Sequence, residues 1–153
     1  MGEKPAAEKR LDFLAWLLKQ QDKPYIWGGK GPDEFDCSGL VTAGLFLCGI
    51  TTKDWRQTHA ASTLFDSLDA TEKPRPGDLA FYGNPVKVSH VMVCFGDGRV
   101  YGATGGHHST ISIERAKYAN ACVKFRSAVS YRPDFRGYRK LPIDDEMEVI
   151  PNA

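Results

Sequence analysis

Nowhere in the 153 residues does an apolar run approach the roughly 18 residues that a membrane-spanning helix needs. The opening stretch MGEKPAAEKR also lacks the apolar core of a secretory signal. Together these absences give the expectation of a soluble chain made in the cytoplasm. Such a chain would reach a target beyond the membrane inside a phage particle or through secretion machinery. An excess of one charge is missing too. Lysine and arginine number 20 against 19 aspartate and glutamate, for a formal net charge of +1. No broad positive field exists to gather nucleic acid or a membrane surface, so a partner must be chosen by a local site. Cysteine is sparse, at four residues, and no two form a CxxC pair, which excludes a disulfide scaffold. Combining them with the four histidines yields none of the short zinc-ligand spacings, so no metal site is expected.

Apolar residues make up 42% of the chain, enough for one compact domain with its own core. In residues 6 to 20, Leu11, Leu14, Ala15 and Leu18 recur at helical spacing, and Lys23-Pro24 closes the segment. YIWGGKGPDEF then reads as a shaped loop. After it, Asp36 stands at an N-cap position and CSGLVTAGLFLCG continues as an apolar helix ending at Gly49. A short helix is expected over 58 to 68. Strands are expected over 79 to 82, 88 to 95, 99 to 103, 109 to 113 and 122 to 131, with Asp97-Gly98 as a hairpin turn. Helices first and antiparallel strands afterwards define an α+β class. The domain is placed at 1 to 138, with 139 to 153 as an acidic, proline-punctuated extension.

Two residues carry chemistry. Cys37 would sit at a helix N-terminus, where unpaired N–H groups and the helix dipole favour thiolate over thiol and could also hold an oxyanion. His90 lies within an apolar strand, where both imidazole nitrogens must find partners. A helix-borne cysteine meeting a strand-borne histidine is the arrangement of a cysteine hydrolase. Composition alone favours packing for a cysteine in an apolar helix, and Cys48, Cys94 and Cys122 keep that reading.

In order and spacing, PYIWGGKGPDEFDCSGLV, RQTHAAS, RPGDLAFYG and SHVMVCFGDGRVYGA resemble the signature blocks of the NlpC family of papain-like cell-wall peptidases. The resemblance implies a papain-like fold with N-terminal helices on an antiparallel sheet, and no cofactor. It implies hydrolysis of an amide in peptidoglycan stem peptides, between D-glutamate and a diamino acid, with Cys37 as nucleophile and His90 as base. It likewise implies that Tyr25 points its hydroxyl at the nucleophile and that Asp36 and Ser38 line the pocket for the substrate amine. Asp36 is equally an N-cap, and Trp27 is at once a core aromatic and a candidate substrate contact.

One position breaks the pattern. Family members carry a polar residue, often histidine, twelve places after the catalytic histidine, and here that place is Gly102. Thr104, His107 and His108 are the nearby substitutes, and His108 is taken as the candidate orienter. The incomplete triad keeps three other readings open: an amidase, an acyltransferase, or a silent cell-wall-binding or phage tail module.

Overall fold

The computed structural model describes residues 4–143. Helix α1, Ala6–Leu18, buries Ala6, Arg10, Phe13 and Leu17. This stripe is one step round from the expected face. Leu11 and Leu18 stay 66% and 43% exposed, because the buried line runs through a charged residue, Arg10, that hydrophobic periodicity passes over. Arg10 is matched below the surface: its guanidinium donates to Asp78 at 3.0 Å and to the Pro76 carbonyl at 2.8 Å.

Helix α2, Cys37–Leu47, is capped at its start by Asp36. At its end Gly49 takes φ +73°, Ile50 N–H reaches the Leu45 carbonyl and Gly49 N–H the Phe46 carbonyl, the double bond pattern of a Schellman cap. Eight of its residues from Cys37 to Leu45 are buried, so this is the central helix, covered all round rather than amphipathic. Helix α3, Ala61–Ser67, follows, with strand β1 at Ala70–Thr71.

Strands β2 (Leu79–Gly83), β3 (Val88–Cys94), β4 (Val100–Thr104), β5 (Cys122–Arg126) and β6 (Phe135–Arg139) complete one sheet. The order is β1-β6-β2-β3-β4-β5, with every paired neighbour antiparallel. Two corrections to the expected elements apply. The strand expected over 109 to 113 is absent: 109 to 112 turn into helix α4, Ile113–Ala119, whose N-cap Ser112 accepts the Arg115 N–H and whose C-cap Asn120 adopts the left-handed conformation. The strand from Cys122 ends at Arg126, and Val129–Tyr131 is a 3-10 turn. Chain packing continues past residue 138: Arg139 pairs with Ala70 and Leu79, and buried Leu141 donates its N–H to Asp78. The remainder of the acidic tail, 144 to 153, lies outside the described residues.

Both faces of the central strands are covered. Val91, Val93, Tyr101 and Ala103 join Phe13, Leu40, Val41 and Leu45 in the main core beneath the helices. On the reverse face Ala80, Tyr82, Met92, Cys94 and Val100 form a second cluster with Val129, Tyr131 and Tyr138. Strand side chains alternate between faces, so His90 shares the second face with Met92 and Cys94. It sits opposite Tyr82, with ring centroids 5.6 Å apart. Among the described residues β3 and β4 pair at Val93↔Tyr101 and Cys94↔Val100, and beyond these pairs the ends bearing His90 and Thr104 pair with β2 and β5 rather than with each other.

Candidate active site

Backbone contacts fold the loop before α2 onto the domain. Tyr25 N–H donates to Ala121, Trp27 N–H to Thr110, and Asp36 N–H to Gly29. The first turn of α2 then lies directly on this loop: a Cβ at Gly39 would stand 2.0 Å from the Gly29 carbonyl oxygen. Asp36 fastens the two together, its Oδ1 accepting Gly39 N–H at 2.7 Å and its Oδ2 accepting Gly28 N–H at 3.0 Å. Ser38 adds its hydroxyl to Asp36 Oδ1 at 3.5 Å.

Cys37 therefore occupies the expected first helical position, and it is 7% exposed. The N–H of Val91, the residue after His90, reaches its sulfur. His90 is 6% exposed, and its Nε2 lies 2.8 Å from the Tyr131 hydroxyl. Cys37 acts electrostatically on Tyr131, the hydrogen-bond partner of His90, and on Arg132, which in turn acts on His90. The two candidate catalytic groups thus share one neighbourhood. Among the described residues no hydrogen bond joins Cys37 Sγ to His90.

Electrostatics correct the expectation of a thiolate. Burial pushes the Cys37 thiol up to about 12, and the Asp36 carboxylate adds to the rise. The N–H groups of Val91, Ser38 and Cys37 itself oppose it without winning. Burial also pushes His90 down to about 3, with Arg132 and then Arg126 working in the same direction against Asp134. Near neutral pH the resting pair is therefore a thiol and a neutral imidazole.

Tyr25 is buried, with its hydroxyl held above the ordinary tyrosine range by burial first and then by Cys37 and Asp36. Its ring is flanked by Gly106, where a Cβ would come within 2.3 Å, so the 105 to 106 loop can lie flat against it. Trp27 is 55% exposed, which removes the core reading and leaves it on the surface beside the loop. His108 packs edge-on to Trp27 at 6.2 Å and beside His107 at 5.3 Å. The expected orienter is thus held by Trp27, while Tyr131 occupies the His90 nitrogen. Thr104, one of the three substitutes, is present in that cluster, 3.2 Å from the Tyr131 hydroxyl.

Sequence reasoning passed over Tyr131, Arg126 and Arg132. Arg126 places its guanidinium 4.9 Å from the Tyr131 ring centroid and donates to Thr104 Oγ1 at 3.5 Å. Arg132 forks onto Asp134 at 2.9 and 2.6 Å and lies 5.5 Å from the Tyr82 ring centroid. Arg126 and Tyr131 lie within the strand expected over 122 to 131, and Arg132 lies just past it, with no motif marking any of them.

A profile of the NlpC/P60 family matches residues 22–127. The chain belongs to that family. It is 35% identical over 100 residues to the bifunctional muramidase/DL-endopeptidase CwlT of Bacillus subtilis, a match covering 60% of this chain and 29% of that protein. The chain thus spans under a third of the curated relatives' length, 29% for CwlT and 17% for the probable endopeptidase p60 of Listeria seeligeri. Among solved structures, the peptidoglycan hydrolase RipB of Mycobacterium tuberculosis superposes with TM-score 0.68 at 20% identity, covering 94% of this chain and 69% of that one. RipD of the same organism, described as a non-catalytic NlpC/p60 domain protein adapted to peptidoglycan binding, gives TM-score 0.62 at 19% identity over 85% of this chain and 94% of that one. These two share the papain-like α+β fold with this protein.

Proposed function

We propose that this NlpC/P60 domain is a cysteine hydrolase that cleaves an amide in peptidoglycan stem peptides, at the bond between D-glutamate and a diamino acid. The observation that carries the reading is Cys37 at the first turn of α2, with the N–H next to His90 already on its sulfur. The two amino acids differ in burden. Cys37 attacks the amide carbon as its proton passes to His90 Nδ1, so charge separates only as the new C–S bond forms. Backbone N–H groups at the start of α2, with the Tyr25 hydroxyl, hold the oxyanion. Collapse of the tetrahedral species breaks the C–N bond, and His90 returns the proton to the departing amine. Water, deprotonated by His90, then releases the acid and restores the thiol.

Asp36, Ser38 and exposed Trp27 would receive the amine end of the peptide, with the Asp36 carboxylate facing an ammonium group. The proposed place of action is the cell wall. No helix among the described residues is long and apolar enough to cross a membrane. Digestion of muropeptides followed by mass spectrometry tests the reading. A new free amine with wild type and none with Cys37→Ala is expected, and identical product masses from the two proteins would overturn it. An amidase or an acyltransferase would be revealed by different product masses.

A second reading is a silent peptidoglycan-binding module. The observation favouring it is the buried, protonated thiol beside a neutral His90. Sedimentation with intact peptidoglycan by wild type and Cys37→Ala alike, with no cleavage, is its signature.

A further inference from the structure

Gly102 leaves the usual orienting place without a side chain, and Met92 fills the space: a Cβ at 102 would meet Met92 Sδ at 3.0 Å. We propose that Tyr131, brought in by the Val129–Tyr131 turn from the far side of the sheet, is the positioning residue for His90, fixing its tautomer and ring through a Tyr131–Thr104–Arg126 chain. This deepens the hydrolase reading and rests on it for its catalytic meaning.

Three contacts hold the tyrosine in place. Its ring meets Tyr82 edge-on at 5.4 Å, Arg126 stacks a cation over it at 4.9 Å, and its hydroxyl lies 3.2 Å from Thr104 Oγ1. The hydroxyl therefore has two oxygen or nitrogen neighbours, Thr104 and His90 Nε2, the latter at 2.8 Å. A phenol has one proton to give and lone pairs to receive. If it donates to Thr104 Oγ1, it accepts from Nε2–H, and the imidazole is fixed with a bare Nδ1. That is the nitrogen the Cys37 proton needs. Thr104 Oγ1 has lone pairs for both the Tyr131 hydroxyl and an Arg126 Nη2–H, while the buried Arg126 Nε has no hydrogen-bond partner. The Tyr131 hydroxyl is raised above the ordinary tyrosine range, chiefly by burial, so it acts as an oriented dipole rather than an anion. A dipole can hold a ring in one tautomer without forcing it to be charged, which suits a base that is neutral at rest.

The test reads the tautomer directly. Long-range proton–nitrogen correlation spectra of the 15N-histidine-labelled full chain report which His90 nitrogen carries hydrogen, with no substrate present. Wild type is expected to show a single Nε2–H form, and Tyr131→Phe a mixture of both forms. Thr104→Val, which leaves the tyrosine in place, is expected to show a smaller change in the same direction and guards against a misfolded Tyr131→Phe. Where muropeptides are cleaved, Tyr131→Phe should lower kcat by about tenfold or more with KM little changed. A wild-type Nδ1–H form, or wild-type spectra in both variants, overturns the proposal. A single Nε2–H form that becomes mixed in the variants, in a protein that releases no amine, upholds the positioning role and removes the hydrolase reading instead.

Discussion

Asp36 binds the two segments on either side of the candidate nucleophile, taking the Gly39 N–H on one carboxylate oxygen and the Gly28 N–H on the other, at 2.7 and 3.0 Å. The same carboxylate raises the Cys37 thiol. Cap and charge are separable. Asp36→Asn keeps one acceptor and removes the charge, so the Cys37 pKa should fall and its alkylation at a fixed pH should quicken. Asp36→Ala loses both acceptors and should cost about 1 to 2 kcal/mol of stability. Paired alkylation kinetics and thermal melts check the two halves.

The order of thiol labelling follows from burial. Cys37 is closed off and raised to about 12, while Cys48 and Cys122 are half-exposed, with smaller upward shifts that also begin with burial. Iodoacetamide near neutral pH should therefore modify Cys48 and Cys122 before Cys37. Peptide mapping by mass spectrometry gives the order. Rapid labelling of Cys37 in the free protein would mean that its thiolate is far more accessible than this structure allows.

Stability on the acid side should report His90. Its folded pKa is depressed from 6.5 to about 3, so the unfolded chain takes up a proton between these values and the folded chain does not. Stability from this group is complete above about pH 6.5 and is lost as pH falls towards 3. Between pH 6.5 and 5 most carboxylates are still ionised, so histidines dominate the change, and the His90→Gln comparison separates His90 from His59, which burial also lowers. Wild type should lose melting temperature across that interval, and His90→Gln should lose less. Equal slopes for the two proteins would sink the assignment.

Much of the fold was legible because its signals are local. The Asp36 cap, the Gly49 stop and the Asp97-Gly98 turn act within a few residues, and each lies where the sequence places it. In helix α1 the apolar periodicity points one step away from the buried face, because a buried ion pair looks like surface in one dimension; Asp78, which neutralises Arg10, is 68 residues away. Helix α4 was hidden by its β-branched start, and only the Ser112 cap and the Asn120 end mark it. The candidate site divides the same way. Cys37 and His90 stand out from their own neighbourhoods, whereas Tyr131 meets His90 across 41 residues of chain, through sheet packing that no short motif encodes. The Cys37 shift runs opposite to the expected one for a related reason: the helix end is local, but burial by the whole domain is not.

The Arg10–Asp78 pair is the clearest structural commitment of the fold. Asp78 is 1% exposed and also receives N–H groups from Arg75 and Leu141, so it ties α1, the entry to β2 and the chain after β6 together. Removing one partner of a buried pair leaves a charge without compensation, which costs about 3 to 5 kcal/mol. Asp78→Ala should therefore fall by roughly that amount in denaturant melts. A loss under about 1 kcal/mol would show the pair to be merely tolerated.

Gly39 tests whether the site depends on the exact seat of α2. Its missing side chain lets the helix's first turn touch the loop: a Cβ there would lie 2.0 Å from the Gly29 carbonyl oxygen and 2.8 Å from Asp36 Oδ1. The carbonyl is backbone, fixed on its other side by the Asp36 N–H it accepts at 2.9 Å, so it cannot swing aside as a long side chain would. In Gly39→Ala the helix must lift from the loop, drawing Cys37 away from Val91 and loosening the Asp36 cap. Helix propensity alone would favour alanine by about 1 kcal/mol. The clash should win, giving a net loss of about 1 to 3 kcal/mol, as overpacked sites do. Cys37 should also become more open to alkylation, because the lifted helix exposes it. Melts and labelling on the same variant decide the matter: a more stable protein with an equally protected Cys37 would show that the contact between α2 and the loop is looser than these distances require.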